Sequence, residues 1–322
     1  MTEALTAARG GDELAFAQLT APYRGELRVH CYRLLGSLHD AEDVVQETLL
    51  AAWRALPEFE ERSSVRTWLY RIATNRCSNA RRDASRRPPP PLPFEVPEPT
   101  RAGDVGWLEP FPDSLLDPEK SYQAMESVGV AFISALQRLP PRQTAVLVLR
   151  DALEFSGSEV ADMLGTTTTA VKAALQRARA TLHGDAEPVD PPGRGSDTER
   201  ELTRRFAAAY SARDVDAVVA LLTDDAWLTM PPWPHEYQGR AVIAEFLRGV
   251  PAFRDRNPLR LMGTRANGGP AFGVYARLAG DSDFRATGLL VLGLAGEGVG
   301  MLTHFPPAEV FPHFDLPMTL DA

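Results

Sequence analysis

Hydrophobic residues recur with a helical period through the first part of the chain. They fall every three or four positions from Leu14 to Leu35, again over residues 41–56, and once more from Val65 to Ile72. This spacing gives each segment one apolar face, which is the pattern of amphipathic helices packed on a shared core. A glycine or a proline follows each of the first two segments. The pattern predicts an all-helical domain within residues 1–87.

The polar faces of these helices carry different chemistry. The helix over 41–56 shows acidic and amide groups, and acidic residues in a first turn also suit the helix dipole. The next helix and the loop before it combine arginine and asparagine with Trp68, and this mixture fits single-stranded nucleic acid, whose bases stack or enter pockets. The candidates are Asp40, Asp43, Gln46 and Glu47 on the first helix, then Arg62, Ser63, Arg66, Arg71, Asn75 and Asn79, with Arg76 and Arg81 on the same predicted outer face.

Residues 139–182 predict three helices separated by two tight breaks. Prolines open the first helix, Ser156 and Glu159 form a capping box for the second, and Gly165 ends it. A short helix, a glycine turn and a helix with a basic outer face are typical of a helix-turn-helix, although a plain helical bundle has similar signals. Arginine or lysine there can contact phosphates or guanine, and glutamine can pair with adenine. The candidates are Thr167, Thr168, Lys172, Gln176, Arg177 and Arg179.

The remainder of the chain, residues 198–322, changes from helical to strand-like patterns. Two helices are predicted first, the second ending near Asp224 and Asp225, where acidic residues often form turns. A third helix follows over 241–250 after the apolar loop 227–239, and long strand-like runs begin near residue 260. Helices that precede a meander of strands predict an α+β domain.

Composition narrows the class of protein. A chain of 322 residues has room for two or three domains, and its 44% hydrophobic content is ordinary for globular protein. Two cysteines give no disulfide framework and no zinc set, and we predict that both are core thiols. No apolar stretch of about 20 residues and no secretion signal is visible, so we expect a cytoplasmic protein without a membrane span.

Net charge first argues against a nucleic-acid partner, because it is −9. The charge is uneven, however: residues 88–135 carry two basic against eight acidic residues, whereas the helix-turn-helix stretch is mildly basic. Residues 88–130 are a proline-rich, acidic linker whose tandem prolines favour an extended polyproline conformation. The apolar piece GWLEPFPDSLL within it predicts docking on protein. A second flexible linker spans residues 184–197.

Three stretches together resemble the extracytoplasmic-function sigma factors of bacterial RNA polymerase, in the sigma-70 family. They are DAEDVVQETLLAAWRAL, SSVRTWLYRIATNRCSNARR and residues 139–182, in the order of sigma regions 2 and 4. The resemblance implies that residues 40–47 face the β′ clamp helices of core polymerase. It also implies that residues 62–79 melt and read the minus-ten element, and that the helix from Thr167 reads the minus-thirty-five element. Ala173 and Ala174 stand where the family often has serine and arginine, which predicts fewer polar reading groups.

The C-terminal part resembles the SnoaL-like, nuclear-transport-factor-two-like cone, and the whole order resembles a sigma subgroup with such a domain. That cone usually encloses a pocket, and some relatives are isomerases or cyclases. Lone histidines and turn aspartates secure no acid–base pair here, so no catalytic residue, metal or cofactor is predicted. The candidate pocket residues are Trp227, Met230, Tyr237, Tyr275 and His304.

The sequence therefore predicts a sigma factor with two all-α sigma domains and an α+β cone that regulates it in cis, in a direction left open. Its partners would be core RNA polymerase and promoter DNA, while an anti-sigma factor or a small ligand stays undetermined. The alternatives are an isomerase or cyclase fused to a DNA-binding module, and a ligand-sensing helix-turn-helix regulator. The predicted domains are 1–87 (region 2), 88–130 (linker), 131–183 (region 4), 184–197 (linker) and 198–322 (SnoaL-like).

Overall fold

The computed structural model describes residues 2–84, 95–103, 108–116, 128–182, 190–255, 257–306 and 310–321. They belong to two compact units. The first comprises Met1–Arg87, Leu115–Val128 and Ile133–Ala186, and the second comprises Pro88–Ser114, Gly129–Phe132 and Glu187–Ala322. The tandem prolines, most of the acidic run after Leu116 and the start of the second predicted linker lie outside the described residues.

Four helices form the N-terminal part of the first unit: α1 (Thr2–Arg9), α2 (Glu13–Leu35), α3 (Leu38–Ala55) and α4 (Val65–Ala84). Side chains of Asp12 and Ser37 cap α2 and α3, and Gly36, at φ 74°, ends α2 in the left-handed region that glycine favours. Cys31 and Cys77 are buried in this core as free thiols, as predicted.

Four more helices follow: α5 (Val130–Arg138), α6 (Pro141–Leu147), α7 (Gly157–Met163) and α8 (Thr168–Leu182). They belong to the first unit, except for the first three residues of α5. A π-helical turn, Val148–Ala152, continues α6. The predicted capping box is confirmed, because Ser156 and Glu159 each bond the other's backbone N–H. The Oγ1 of Thr167 accepts a hydrogen bond from the N–H of Ala170 at 3.2 Å, so this residue caps α8 as predicted.

The second unit is an α+β domain, as predicted. Its helices are α9 (Asp197–Ala212), α10 (Val215–Ala220), α11 (Arg240–Gly249) and α12 (Pro251–Arg254). Its strands are β1 (Arg101–Ala102), β2 (Leu222–Met230), β3 (Trp233–Gln238), β4 (Leu259–Ala266), β5 (Gly269–Ala276), β6 (Phe284–Ala295), β7 (Gly298–Phe305) and β8 (Thr319–Leu320).

One mixed sheet has the described strand order β1-β3-β2-β7-β6-β5-β4, with β8 beside β6. Only β2 and β7 run parallel among these pairs; the other pairs are antiparallel. Apolar side chains of α9 and α11 pack on one face of the sheet, where Phe206 lies 6.4 Å from Phe272 between ring centroids. This packing buries the apolar face that neither layer could expose alone.

The predicted end of the second C-terminal helix is wrong. That helix, α10, stops at Ala220, and Asp224 and Asp225 lie in β2 rather than in a helix-ending turn. The segment predicted as an apolar loop is mostly the β2–β3 hairpin. Leu228 and Met230 are buried on alternate positions of β2, which is a strand period. A short apolar run satisfies both periods, so its neighbours decide.

Candidate polymerase and promoter surfaces

The exposed face of α3 carries three of its four predicted polymerase-binding residues. Asp43, Gln46 and Glu47 are exposed, Asp40 is half-buried, and the opposite face is buried. Leu50 extends this exposed face one further turn, with 57% of its surface accessible. The sequence reasoning missed Leu50, since an apolar residue in an amphipathic helix is normally assigned to the core. An acidic face with one exposed apolar residue is suited to a protein partner.

The loop before α4 and one face of that helix expose the predicted minus-ten residues. Arg62 and Ser63 lie in the loop, and Arg71, Asn75 and Asn79 are exposed at intervals of four along α4. Residues four apart share a helical face, so these side chains form one continuous stripe. Their role in reading DNA stays a prediction.

An open cleft of about 1190 Å³ lies beside this stripe. The loop and α4 supply one wall, including Trp68, whose ring stacks on Phe59 at 4.6 Å. Glu159, Asp162 and Met163 of α7 supply the other. Basic and acidic groups therefore face the same cleft.

Arg66 is placed apart from the exposed stripe, although it was predicted with it. Its Nε lies 3.2 Å from Oε2 of Glu26, and its guanidinium lies 4.9 Å from the Tyr70 ring centre and 4.8 Å from that of Phe155. A guanidinium held between two rings gains cation–π energy. Burial raises the pKa of Tyr70, whose hydroxyl donates to the same Glu26 carboxylate at 3.3 Å. Arg66 thus joins α2, α4 and the segment before α7.

Arg76 and Arg81 also depart from the predicted outer face of α4. Arg76 pairs with Glu47 of α3 at 2.6 Å. At the C-terminal end of α5, Arg81 donates to the carbonyl oxygens of Gln137 and Leu139, at 2.6 and 2.9 Å, and it donates to Oγ1 of Thr144 at 2.9 Å. A cation suits the carbonyl end of a helix, so Arg81 joins the N-terminal helices to the helix-turn-helix group.

The outer face of α8 exposes every residue predicted for the minus-thirty-five element, from Thr167 to Arg179. Arg179 also makes two hydrogen bonds to Asp151, at 2.9 and 2.8 Å, which fix α8 against the π turn. Ala174 is buried on the inner face. The expected loss of reading groups at Ala173 and Ala174 stays a prediction.

The linker segment Pro88–Ser114 belongs to the second unit, whereas Leu115–Val128 belongs to the first. Arg101 and Ala102 pair antiparallel with Glu236 and His235, so the linker adds strand β1 to the sheet edge. The Arg101 guanidinium lies 2.5 Å from the buried Glu236 carboxylate and 4.2 Å from the centre of the Trp227 ring. The N–H of Gly103 continues the ladder by donating to the Pro234 carbonyl at 2.8 Å.

A second contact holds the linker beyond residue 108. Phe111 is fully buried, and its N–H donates to Oδ1 of Asn267 at 2.9 Å while its carbonyl accepts from the Asn267 N–H at 2.8 Å. The buried Asp113 carboxylate lies 3.3 Å from Arg265 and accepts from the N–H of Gly268 at 2.8 Å. The predicted docking of the piece GWLEPFPDSLL on protein is confirmed for its described residues.

The five candidate pocket residues lie in different surroundings. Met230 and Tyr237 belong to the core beneath the helices, and the Tyr237 hydroxyl donates to the Pro97 carbonyl at 2.9 Å. Tyr275 points to the opposite side of the sheet from Val274 and packs on Phe311, with ring centres 5.6 Å apart. Trp227 contacts Arg101. His304 lies beside Gly288, and burial lowers the pKa of its imidazole to about 4.

Three segments of the chain match known protein families. Residues 19–87 match Sigma-70 region 2, residues 130–182 match Sigma-70, region 4, and residues 203–272 match the SnoaL-like domain. The sequence is 43% identical over 325 residues to the ECF RNA polymerase sigma factor SigG of Mycobacterium tuberculosis, covering 97% of this chain and 86% of that protein. The chain belongs to the ECF RNA polymerase sigma factors. This sigma factor binds core RNA polymerase and directs promoter recognition, as predicted.

The crystal structure of the extracytoplasmic function sigma factor SigJ of Mycobacterium tuberculosis has the same fold. Its TM-score against the sigma factor is 0.62 at 24% identity, over 92% of this chain and 98% of that one. In a sequence alignment, SigJ is 30% identical over 233 residues, covering 70% of each protein. Within the described ranges, the sigma factor has no helix of the length and apolarity that a membrane span requires.

Proposed function

We propose that the exposed face of α3 binds core polymerase, that residues 62–79 read the minus-ten element, and that α8 reads the minus-thirty-five element. The charge and exposure of these faces support the assignment. The protein would work in the cytoplasm beside RNA polymerase, with the five predicted domains as its organisation. The SnoaL-like domain would have no catalysis of its own, because its candidate polar residues do not converge on one acid–base pair.

We further propose that the SnoaL-like domain restrains the sigma factor by holding the linker that connects regions 2 and 4. The observation that carries this proposal is strand β1. A linker segment that is hydrogen-bonded to β3 cannot bind to another surface at the same time. The ion pair of Arg101 with the buried Glu236 strengthens that hold. Release of the linker would then precede promoter-directed transcription.

A reversible covalent lock tests the restraint. Ala102 and His235 face each other across the β1–β3 pair, and in a non-hydrogen-bonded antiparallel pair the Cα atoms lie about 4.5 Å apart, within disulfide range. The double variant Ala102→Cys/His235→Cys should lose most promoter-directed transcription when oxidised. Reduction should restore it, so each sample is its own control. Equal activity of the oxidised and reduced forms, with the disulfide verified by mass, would exclude release of the linker as a required step.

A further inference from the structure

The N-terminal helix α1 lies outside the part of the chain that matches Sigma-70 region 2, which begins at residue 19. It is nevertheless packed into the domain. Leu5 and Ala8 are buried, with 6% and 2% of their surfaces accessible. Its last residue, Arg9, extends to the loop that precedes α4. An added helix with a buried face and a charged residue directed at a candidate DNA-reading loop has a role that the family match does not assign.

Arg9 holds that loop at two points. Its Nη1 donates to Oε1 of Glu61 at 2.8 Å, and its Nη2 donates to the carbonyl oxygen of Phe59. The guanidinium fork thus spans two residues of the loop with one rigid group, which lysine cannot reproduce. The side chain of Arg9 is 30% exposed and that of Glu61 53%, so the Phe59 carbonyl is the better shielded of the two contacts.

The loop has a backbone conformation that needs such support. Glu61 has φ 56°, in the left-handed region that residues with a Cβ seldom occupy. Two residues before it, Phe59 is buried and stacks on Trp68, with ring centres 4.6 Å apart at 29°. Immediately after it come Arg62 and Ser63, both exposed. Arg9 therefore acts where the chain turns from a buried anchor to the candidate reading residues.

We propose that Arg9 is a positioning residue for promoter reading: it fixes the loop 59–64, and so the location of Arg62 and Ser63 relative to α4. The proposal rests on the proposed function of that loop. It predicts that loss of Arg9 relaxes minus-ten discrimination without weakening core binding, since α3 is unchanged. A purely structural role would lower stability and leave discrimination intact.

The test uses full-length protein with core polymerase. A promoter is first selected by the wild-type holoenzyme from duplexes randomised over both elements, and run-off transcription is then measured on its single-base minus-ten variants. Arg9→Ala should reduce discrimination about three- to tenfold, the range expected for a partly screened hydrogen bond to a charged group. Arg9→Lys should fall between, and Glu61→Gln should shift discrimination in the same direction. Core affinity should stay at the wild-type value, and the melting temperature should fall by at most a few degrees.

The controls separate the two hypotheses. Arg24→Ala removes an exposed arginine of α2 that makes neither loop contact, and should match wild type. If Arg62→Ala changes discrimination but Arg9→Ala and Glu61→Gln do not, the positioning role is wrong and the loop's function stands. If Arg62→Ala and Ser63→Ala also leave discrimination unchanged, the loop does not read the minus-ten element, and both proposals fail.

Discussion

Charge reversal at Asp43 should weaken binding to core polymerase while leaving the folding stability nearly unchanged. Asp43 is 61% exposed and lies 3.6 Å from the exposed His39, so Asp43→Lys should change folding stability by under about 0.5 kcal/mol. The same change places a cation on the acidic face of α3, and we expect core polymerase to bind more weakly. Fluorescence titration of labelled protein with core polymerase measures this.

The matched control is Glu245→Lys, an identical charge change on an exposed residue of α11. It should bind core polymerase like wild type at equal ionic strength. Equal core affinities of Asp43→Lys and wild type would remove α3 from the polymerase interface.

His30 makes stability of the first unit depend on pH. Burial, with Arg33 and Arg66 nearby, lowers its pKa to about 3. In the unfolded chain this imidazole is protonated below about pH 6.5, whereas in the folded chain it stays neutral until the pH falls to about 3. The unfolded state therefore binds more protons, and the free energy of unfolding falls as pH falls from about 6.5 to about 4.

His30→Gln should lower the slope of the unfolding free energy against pH by about 1.4 kcal/mol per pH unit, which corresponds to one proton. Denaturant unfolding followed by tryptophan fluorescence across this range gives the slope. A His30→Gln slope equal to wild type would contradict the buried-histidine account.

The partners of single arginines on α4 could not be predicted from the sequence. The helical period separates inward from outward positions on α4, because that period is a local property. It cannot distinguish an exposed arginine from one with a distant partner. Arg81 contacts residues more than 50 positions away, and Arg66 lies between Tyr70 and Phe155. Both pairings depend on tertiary packing, which the local pattern does not encode.

At the scale of an element, α8 gives two distinguishable effects. Lys172→Ala removes a point charge, so binding to all sequences should weaken and the salt dependence should decrease in slope by about one. Arg177→Ala removes a side chain that can bond guanine, so binding should weaken by about 1–3 kcal/mol and specificity should relax at one base pair. Holoenzyme binding to promoter duplexes at several salt concentrations measures both.

Arg142→Ala is the control, since it removes an exposed arginine at the start of α6 rather than on α8. Its affinity and salt slope should match wild type. Footprints of the two α8 variants that match wild type on the same promoter would exclude α8 from the minus-thirty-five contact.

Elements were predictable where their signals are local. The capping box of Ser156 and Glu159 defines the start of α7 from four residues alone. Strand β1 could not be predicted, because its two residues have no periodicity and form a strand only beside β3. The β2–β3 hairpin was missed for a related reason: its prolines suggested a loop, and the strands that flank it, β7 and β1, lie elsewhere in the chain.

For the whole molecule, truncation after Gly195 removes the sheet that holds the linker. We expect promoter-directed transcription to rise relative to full-length protein, because the linker is free from the start. The truncation also exposes Phe111, which is fully buried in the intact second unit. Phe111→Ser in the truncated protein therefore controls for self-association, measured by light scattering. Equal activity of full-length and truncated protein, across promoters and salt, would show that the domain does not regulate in cis.

The contact of Arg81 with the carbonyl oxygens at the end of α5 has a consequence for transcription from every promoter. Elements at minus ten and minus thirty-five are about 25 base pairs apart, about 85 Å along B-DNA at 3.4 Å per pair. Two reading modules packed in one unit cannot span this distance, so the unit must open. The apparent dissociation constant is the intrinsic one divided by the open fraction, and that divisor is the same for every promoter. Arg81→Ala should therefore raise transcription from a strong and a weak promoter by one common factor, and unequal factors would contradict this. The contact therefore sets the overall level of transcription from all promoters together, while the relative strengths of the promoters depend on their DNA sequences.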